Sequence, residues 1–254
     1  MEFKKIDWRL ADGIARITLN DPENHNTVDL RFTQEFAEAA RRCETEPRVK
    51  VVLLAAAGPV FSYGGDLNEF LANRDHIQAH VREMTAYFHH AILTLNRMRA
   101  PVIAAVNGMA AGGGFSLVCM CDMAIARRSA KFNFAYTRSG LTPDGGATYF
   151  LTRSVGPQKA FDIMATNPTM SATEAQALGI IARVVDDAEF EAEVESVLRK
   201  LVELPSDALP RLKRLLRTSL AASLEEQFEH EARSISELAA TPATLATLEA
   251  FLQR

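Results

Sequence analysis

Two apolar runs in this 254-residue chain each break into a cluster of glycines, and that recurrence restricts the fold more than any other feature. Val49 to Ala57 leads into Phe61-Ser62-Tyr63-Gly64-Gly65-Asp66-Leu67, and Val102 to Val106 leads into Asn107-Gly108-Met109-Ala110-Ala111-Gly112-Gly113-Gly114-Phe115. A short continuous apolar run bounded by turn residues reads as a buried strand. Glycine lacks a Cβ, so a ligand can approach the main chain closely. The first N–H groups of a helix have no internal partner and sit at the positive end of its dipole. Such a turn can hold an oxygen bearing negative charge. The other reading is a tight strand-to-helix turn that needs glycine only for backbone geometry, and the glycines alone do not choose between them. Neither phosphate signature is present: no Gly-Lys-Ser/Thr follows, and G-x-G-x-x-G is absent.

Strand and helix patterns alternate along the first two thirds of the chain. Ile14 to Leu19 and Val49 to Ala56 read as strands, separated by a helix with Phe32, Phe36, Ala40 and Cys43 at helical spacing. A long helix is predicted over Ile77 to Met98, with Ile77, Val81, Met84, Phe88, Ile92, Leu95 and Met98 on one face. Pro101 ends it and Val102 to Val106 forms the next strand. A short helix after the glycines and strands near Met123 to Ala126 and Lys131 to Ala135 complete an α/β order, with a largely parallel sheet and helices outside. The remainder is helical: Glu189 to Leu204, Ala208 to Ser219, Leu224 to Ala240 and Ala243 to Leu252, broken by Pro205, Pro210 and Pro242. The boundary near Val185 to Glu189 divides the chain into 1–187 and 188–254.

With 48% hydrophobic residues the chain can build one large core. A net charge of -4 offers no basic patch for nucleic acid. No apolar stretch reaches the roughly 18 residues that span a bilayer, and Met1-Glu2-Phe3-Lys4-Lys5 lacks a signal-peptide core, so a soluble cytoplasmic protein off the membrane is expected. Cys43, Cys119 and Cys121 form no metal spacing and read as buried free thiols.

Taken together, Gly13 to Asn26, both glycine sites, Gly140-Leu141-Thr142-Pro143-Asp144-Gly145-Gly146 and Ala172 to Val185 resemble the crotonase superfamily, also called the enoyl-CoA hydratase/isomerase family. The resemblance covers nearly the whole chain. It implies a crotonase-like spiral of β-β-α repeats with a C-terminal all-helical segment that supports a homotrimer or a dimer of trimers. It also implies an acyl-CoA thioester substrate, with coenzyme A as part of that substrate and no separate cofactor or metal. Gly65 and Gly113 fall where the family's two backbone donors hold the thioester oxygen. Tyr63, Asp66 and Leu67 match the stretch that cups the adenine, His25 falls in a loop at the CoA entrance, and Phe251 and Arg254 resemble tail residues near a neighbouring subunit's nucleotide.

This sequence departs from the hydratases of the family, whose two water-holding glutamates are replaced here by Ser116 and Tyr136. Serine does not ionise near neutrality and tyrosine does so near pH 10, so two-carboxylate water addition is not expected. Asp144 is the remaining carboxylate. Read locally it is a helix N-cap before Ala147 to Val155. Read by resemblance it is the base of the family's isomerases or the nucleophile of its 4-chlorobenzoyl-CoA dehalogenase. A carboxylate enclosed beside an acyl chain acquires a raised pKa that suits a general base. His89, next to Phe88 on the long helix, aligns with the dehalogenase's hydrolytic base, and it also reads as a structural histidine at the edge of an apolar stripe. His90 reads as a packing or surface residue. The leading expectation is enoyl-CoA double-bond isomerisation through an enolate. Asp144 is then the base, Gly65 and Gly113 the oxygen donors, and Tyr136, His89, Phe88 and Ser116 the surrounding pocket. Hydrolytic chemistry with Asp144 as nucleophile and His89 as base, hydratase-like action, and non-catalytic acyl-CoA binding are the alternatives.

Overall fold

The computed structural model describes residues 1–205 and 207–253. Its first hairpin joins β1 (Ile6–Ala11) and β2 (Ile14–Leu19), paired antiparallel across Asp12 and Gly13, both at positive φ. Two consecutive residues in that region make the tight turn whose twist matches the strands it joins. β1 was not expected from the sequence, because its burial is incomplete and its apolar signal correspondingly weak.

The chain then winds through repeated turns, each giving one strand to a large sheet, one to a small sheet, and then helix. α1 (Leu30–Thr45) precedes β3 (Val51–Ala56) and β4 (Val60–Ser62), followed by α2 (Leu67–Ala72) and α3 (Ile77–Arg97). The next turn comprises β5 (Val102–Val106), β6 (Met109–Ala111) and α4 (Gly113–Met120). The third comprises β7 (Met123–Arg127), β8 (Lys131–Asn133), α5 (Ala147–Val155) and α6 (Pro157–Thr166). β9 (Met170–Ser171), α7 (Ala172–Ala177) and β10 (Arg183–Val185) close the spiral. The large sheet has the order β1-β2-β3-β5-β7-β10, parallel from β2 onward, and the small sheet has the order β4-β6-β8-β9 with its first three strands parallel. Parallel strands covered on both faces must be apolar throughout, which is why Val51 to Leu54 and Val102 to Val106 are buried without alternation.

Two expectations are corrected in detail. The strand expected over Lys131 to Ala135 ends at Asn133, because Ala135 takes a positive φ and turns the chain. On α3 the apolar face begins later than its spacing suggested: Ile77 is exposed and His80 is buried in its place. His80, near the start of α3, faces Glu69 of the short α2.

Four helices end the chain: α8 (Phe190–Glu203), α9 (Ala208–Ser219), α10 (Leu224–Ala239) and α11 (Pro242–Leu252). Pro210 does not break a helix. It sits in the first turn of α9, where an N–H would have no intrahelical partner. Pro242 starts α11 behind a Thr241 cap. α8 covers the outer face of the large sheet with Phe190, Val194, Val197 and Leu198 packed near Ile14, Val51, Leu53, Ile103 and Ile125. α9 is held differently. Its Lys213 is buried and donates to the carbonyls of Leu95 and Ala100 at 2.9 Å while meeting the Asp122 carboxylate at 2.8 Å. A cation against the last carbonyls of α3 also answers that helix's negative end. No described helix is long and apolar enough to cross a membrane. Phe251 lies exposed on α11, and Arg254 falls outside the described residues.

Removing Lys213 leaves Asp122 and two carbonyls short of their buried partner, so Lys213→Met is expected to lower unfolding free energy by about 3 kcal/mol. Urea unfolding followed by circular dichroism measures it.

Candidate active site

Three loops leave the same end of the small sheet, and the site is built from them. β4 runs into Tyr63-Gly64-Gly65, β6 into Gly112-Gly113, and β8 into the segment that reaches Asp144. The ends of adjacent parallel strands bring loops distant in sequence to one crevice. Gly112 N–H donates to the Asn133 carbonyl at 3.0 Å, and Val28 N–H to the Gly64 carbonyl at 2.8 Å, tying neighbouring loops together.

The two glycine loops meet at van der Waals distance. A Cβ on Gly64 would lie 2.6 Å from Gly113 N and 2.8 Å from the Ala111 carbonyl oxygen, and its φ is +80°. Among the described residues no protein acceptor meets the N–H of Gly65 or of Gly113. Gly113 opens α4, so its amide also carries the positive end of that helix. The structure therefore brings Gly65 and Gly113 to one crevice, with no protein acceptor for either N–H among the described residues.

Beside them is a cavity of about 370 Å³ lined by Val28, Tyr63, Leu67, Phe70, Met84, Phe88, Tyr136, Leu141 and Asp144. Asp144 is the carboxylate among its described lining residues. The local N-cap reading of Asp144 fails: Gly146 holds the cap position of α5 with no side-chain cap, and Asp144 contributes only its carbonyl, which accepts from Ala147 N–H at 3.2 Å. Its carboxylate instead meets His89 Nε2. Gly145 makes this placement possible. At φ +63° a Cβ there would lie 2.7 Å from Phe88 Cε1 and 3.0 Å from Ser116 Cβ.

His89 is raised above its ordinary value of 6.5, chiefly by the hydrogen bond to Asp144 and against the opposing effect of burial. It lies behind the carboxylate rather than among the residues lining the cavity. Ser116 and Tyr136, the replacements for the family's glutamates, bond to each other at 3.0 Å. Ser116 donates to the Gly112 carbonyl at 3.3 Å, and the Tyr136 hydroxyl lies 3.4 Å from the Asp144 carbonyl. Burial pushes the Tyr136 phenol well above its ordinary range, partly offset by Ser116, so it acts as a neutral hydroxyl. Cys119, pushed up to about 12 by burial, is no thiolate nucleophile.

The remaining expected site residues are distributed around the rim. Tyr63 and Leu67 line the cavity and stay half-exposed. His25 packs against Tyr63 in a tilted arrangement, ring centroids 4.8 Å apart, but does not itself line the cavity. Asp66 turns its carboxylate to the N–H groups of Asn68 and Glu69 at 2.9 and 3.2 Å, where it caps α2. Phe70 and Leu141 were missed. Asp66-Leu67-Asn68-Glu69 carries a capping pattern that, read as a helix start, places Leu67 and Phe70 on one face.

The site is thus an apolar pocket with one carboxylate among its described lining residues and two uncommitted amides beside it. A profile of the enoyl-CoA hydratase/isomerase family matches residues 9–254. The 4-chlorobenzoyl coenzyme A dehalogenase-2 of Arthrobacter sp. is 33% identical over 89% of this chain and 82% of its own. The 1,2-epoxyphenylacetyl-CoA isomerase of Escherichia coli is 32% identical over 91% of this chain and 88% of its own. A crystal structure of an enoyl-CoA hydratase from Polaromonas sp. JS666 superposes with a TM-score of 0.92 at 28% identity, covering 98% of this chain and 96% of that one. The chain belongs to the enoyl-CoA hydratase/isomerase family and has the crotonase fold.

Gly145→Ala forces Asp144 away from its place against Phe88, and acyl-CoA turnover is expected to fall on the order of a hundredfold while the far-ultraviolet spectrum is retained. The raised His89 value has its own consequence. The folded state binds the His89 proton more tightly, so the pair contributes fully at pH below 6.5 and is lost as pH rises through the elevated value. Wild-type Tm is expected to decline across that window, and His89→Asn to give a flatter curve; differential scanning calorimetry at stepped pH reads both.

Proposed function

We propose that this chain shifts the double bond of an enoyl-CoA through a thioester enolate. The observation that carries the proposal is the single carboxylate, Asp144, facing an apolar cavity beside two uncommitted amides. With the thioester oxygen between the N–H groups of Gly65 and Gly113, the Asp144 carboxylate takes a proton from C2 of a 3-enoyl chain. The electron pair delocalises through the carbonyl to an oxyanion that the two amides stabilise; losing one such donor costs about 3 kcal/mol in the transition state. The protonated Asp144 then returns the proton to C4, leaving the C2–C3 double bond in conjugation with the thioester. One base on one face performs both transfers, and no cofactor beyond the substrate's own CoA is required. Ser116 and Tyr136 supply hydroxyls where the hydratases' glutamates hold water, which disfavours hydration.

A second reading is supported by the contact between His89 and Asp144 and by the similarity to a dehalogenase. There Asp144 attacks an aryl carbon, chloride departs, and His89 takes a proton from the water that opens the resulting ester. Exposed Leu224, Phe228 and Ile235 on α10 fit burial between copies in a homotrimer or a dimer of trimers.

Absorbance at the conjugated thioester band, recorded with 3-hexenoyl-CoA, is expected to rise with wild-type protein and to fall by at least a hundredfold in rate with Asp144→Asn. Equal rates in the two proteins would remove Asp144 as base. Incubation of His89→Gln with 4-chlorobenzoyl-CoA, followed by intact-protein mass spectrometry, tests the second reading: an aryl adduct mapped to Asp144 establishes it, and an unmodified mass with no chloride release excludes it.

A further inference from the structure

The carboxylate of Glu69 is the meeting point of three helices, and it lies four residues from an oxygen donor. Glu69 Oε2 accepts the Leu30 N–H at 3.0 Å, the first amide of α1. Its Oε1 lies 3.4 Å from Nε2 of His80 on α3, and its own N–H is held by the Asp66 cap that directly follows Gly65. Two main-chain bonds complete the clamp: Val28 N–H to the Gly64 carbonyl at 2.8 Å and Asp66 N–H to the Val28 carbonyl at 3.1 Å.

This clamp matters because α2 has little apolar packing to fix its position: none of its residues is fully buried. Yet α2 carries two walls of the cavity, Leu67 and Phe70, and Phe70 Cζ comes within 3.6 Å of where a Gly65 Cβ would stand. A donor useful in a transition state must be held to a fraction of an ångström before the charge develops.

His80 supplies the independent observation. It is 8% exposed, yet its Nε2 is buried without a hydrogen-bond partner. An unsatisfied buried nitrogen costs free energy, and the nearest group able to relieve it is Glu69 Oε1, a few tenths of an ångström beyond ordinary bonding distance. A shift of α2 that brought Glu69 onto His80 would also move Leu67 and Phe70, which lie on the same helix and line the cavity beside Gly65.

We propose that Glu69 and His80 are positioning residues: together they set α2, and through it the Gly65 N–H, against the thioester oxygen, and the contact between them shortens when an acyl-CoA occupies the site. The kinetic part rests on the isomerase reading; the binding part rests only on acyl-CoA recognition.

The test uses the full-length chain and the variants Glu69→Gln and His80→Gln, with Glu83→Gln on the exposed side of α3 as control. Hydrogen–deuterium exchange of residues 64–72 is measured with and without butanoyl-CoA, which has no double bond to move. Thermal unfolding reports the fold. Binding is expected to protect 64–72 in wild type and control, and to lose most of that protection in both variants. With 3-hexenoyl-CoA, kcat is expected to fall on the order of tenfold to a hundredfold with KM little changed, because the donor is realised only in the transition state. Folded variants with wild-type protection overturn the proposal, as does a rise in KM at unchanged kcat, which would make α2 a simple binding wall. If wild type turns over no enoyl-CoA but the protection difference is present, the isomerase reading falls and the positioning role stands.

Discussion

Everything in this site depends on two backbone loops approaching more closely than side chains permit. Gly64 stands where a single Cβ would lie 2.6 Å from Gly113 N, and that contact sets two uncommitted amides beside one cavity. The small parallel sheet is what enforces it. β4, β6 and β8 lie side by side as parallel strands, so the chain segments leaving their ends emerge as neighbours although they are separated by dozens of positions. The placement of these amides is a property of sheet topology realised through residues without side chains.

The side chains of the site are mounted on that frame by different means. Asp144 is placed by a left-handed pair of glycines that lets its loop lie flat on Phe88 and Ser116, and its carboxylate is then oriented by His89 from the far side. The Ser116–Tyr136 pair runs between the Gly112 carbonyl and the Asp144 carbonyl, linking the oxygen-binding loop to the carboxylate loop with neutral hydroxyls. Because burial keeps Tyr136 protonated, Asp144 is left as the ionisable group facing the cavity.

The helical tail shows how electrostatics can substitute for core packing. α8 is fixed by apolar side chains, whereas α9 is pinned by one buried lysine that satisfies the end of α3 and the Asp122 carboxylate together. Burial, joined by the nearby Arg217 charge, lowers the Lys213 pKa, and Asp122 opposes that shift, which is the balance expected of a cation retained in the interior only because its partners are in place.

The sequence alone determined the alternation of buried strands and helices, the course of α3 and α4, and the two glycine turns that end beside the cavity. Those signals are local: an unbroken apolar run, a 3.6-residue spacing, and glycines where a strand meets a helix. Asp144 was recognisable as the remaining carboxylate, but its choice between capping α5 and facing the cavity depended on the φ of Gly145 and Gly146, which no neighbouring residue type dictates. The contact of His89 with Asp144 and the burial of His80 beside Glu69 were decided only by tertiary structure. Each joins elements whose separation in space is set by helix packing and loop closure, and a one-dimensional pattern carries no record of those distances.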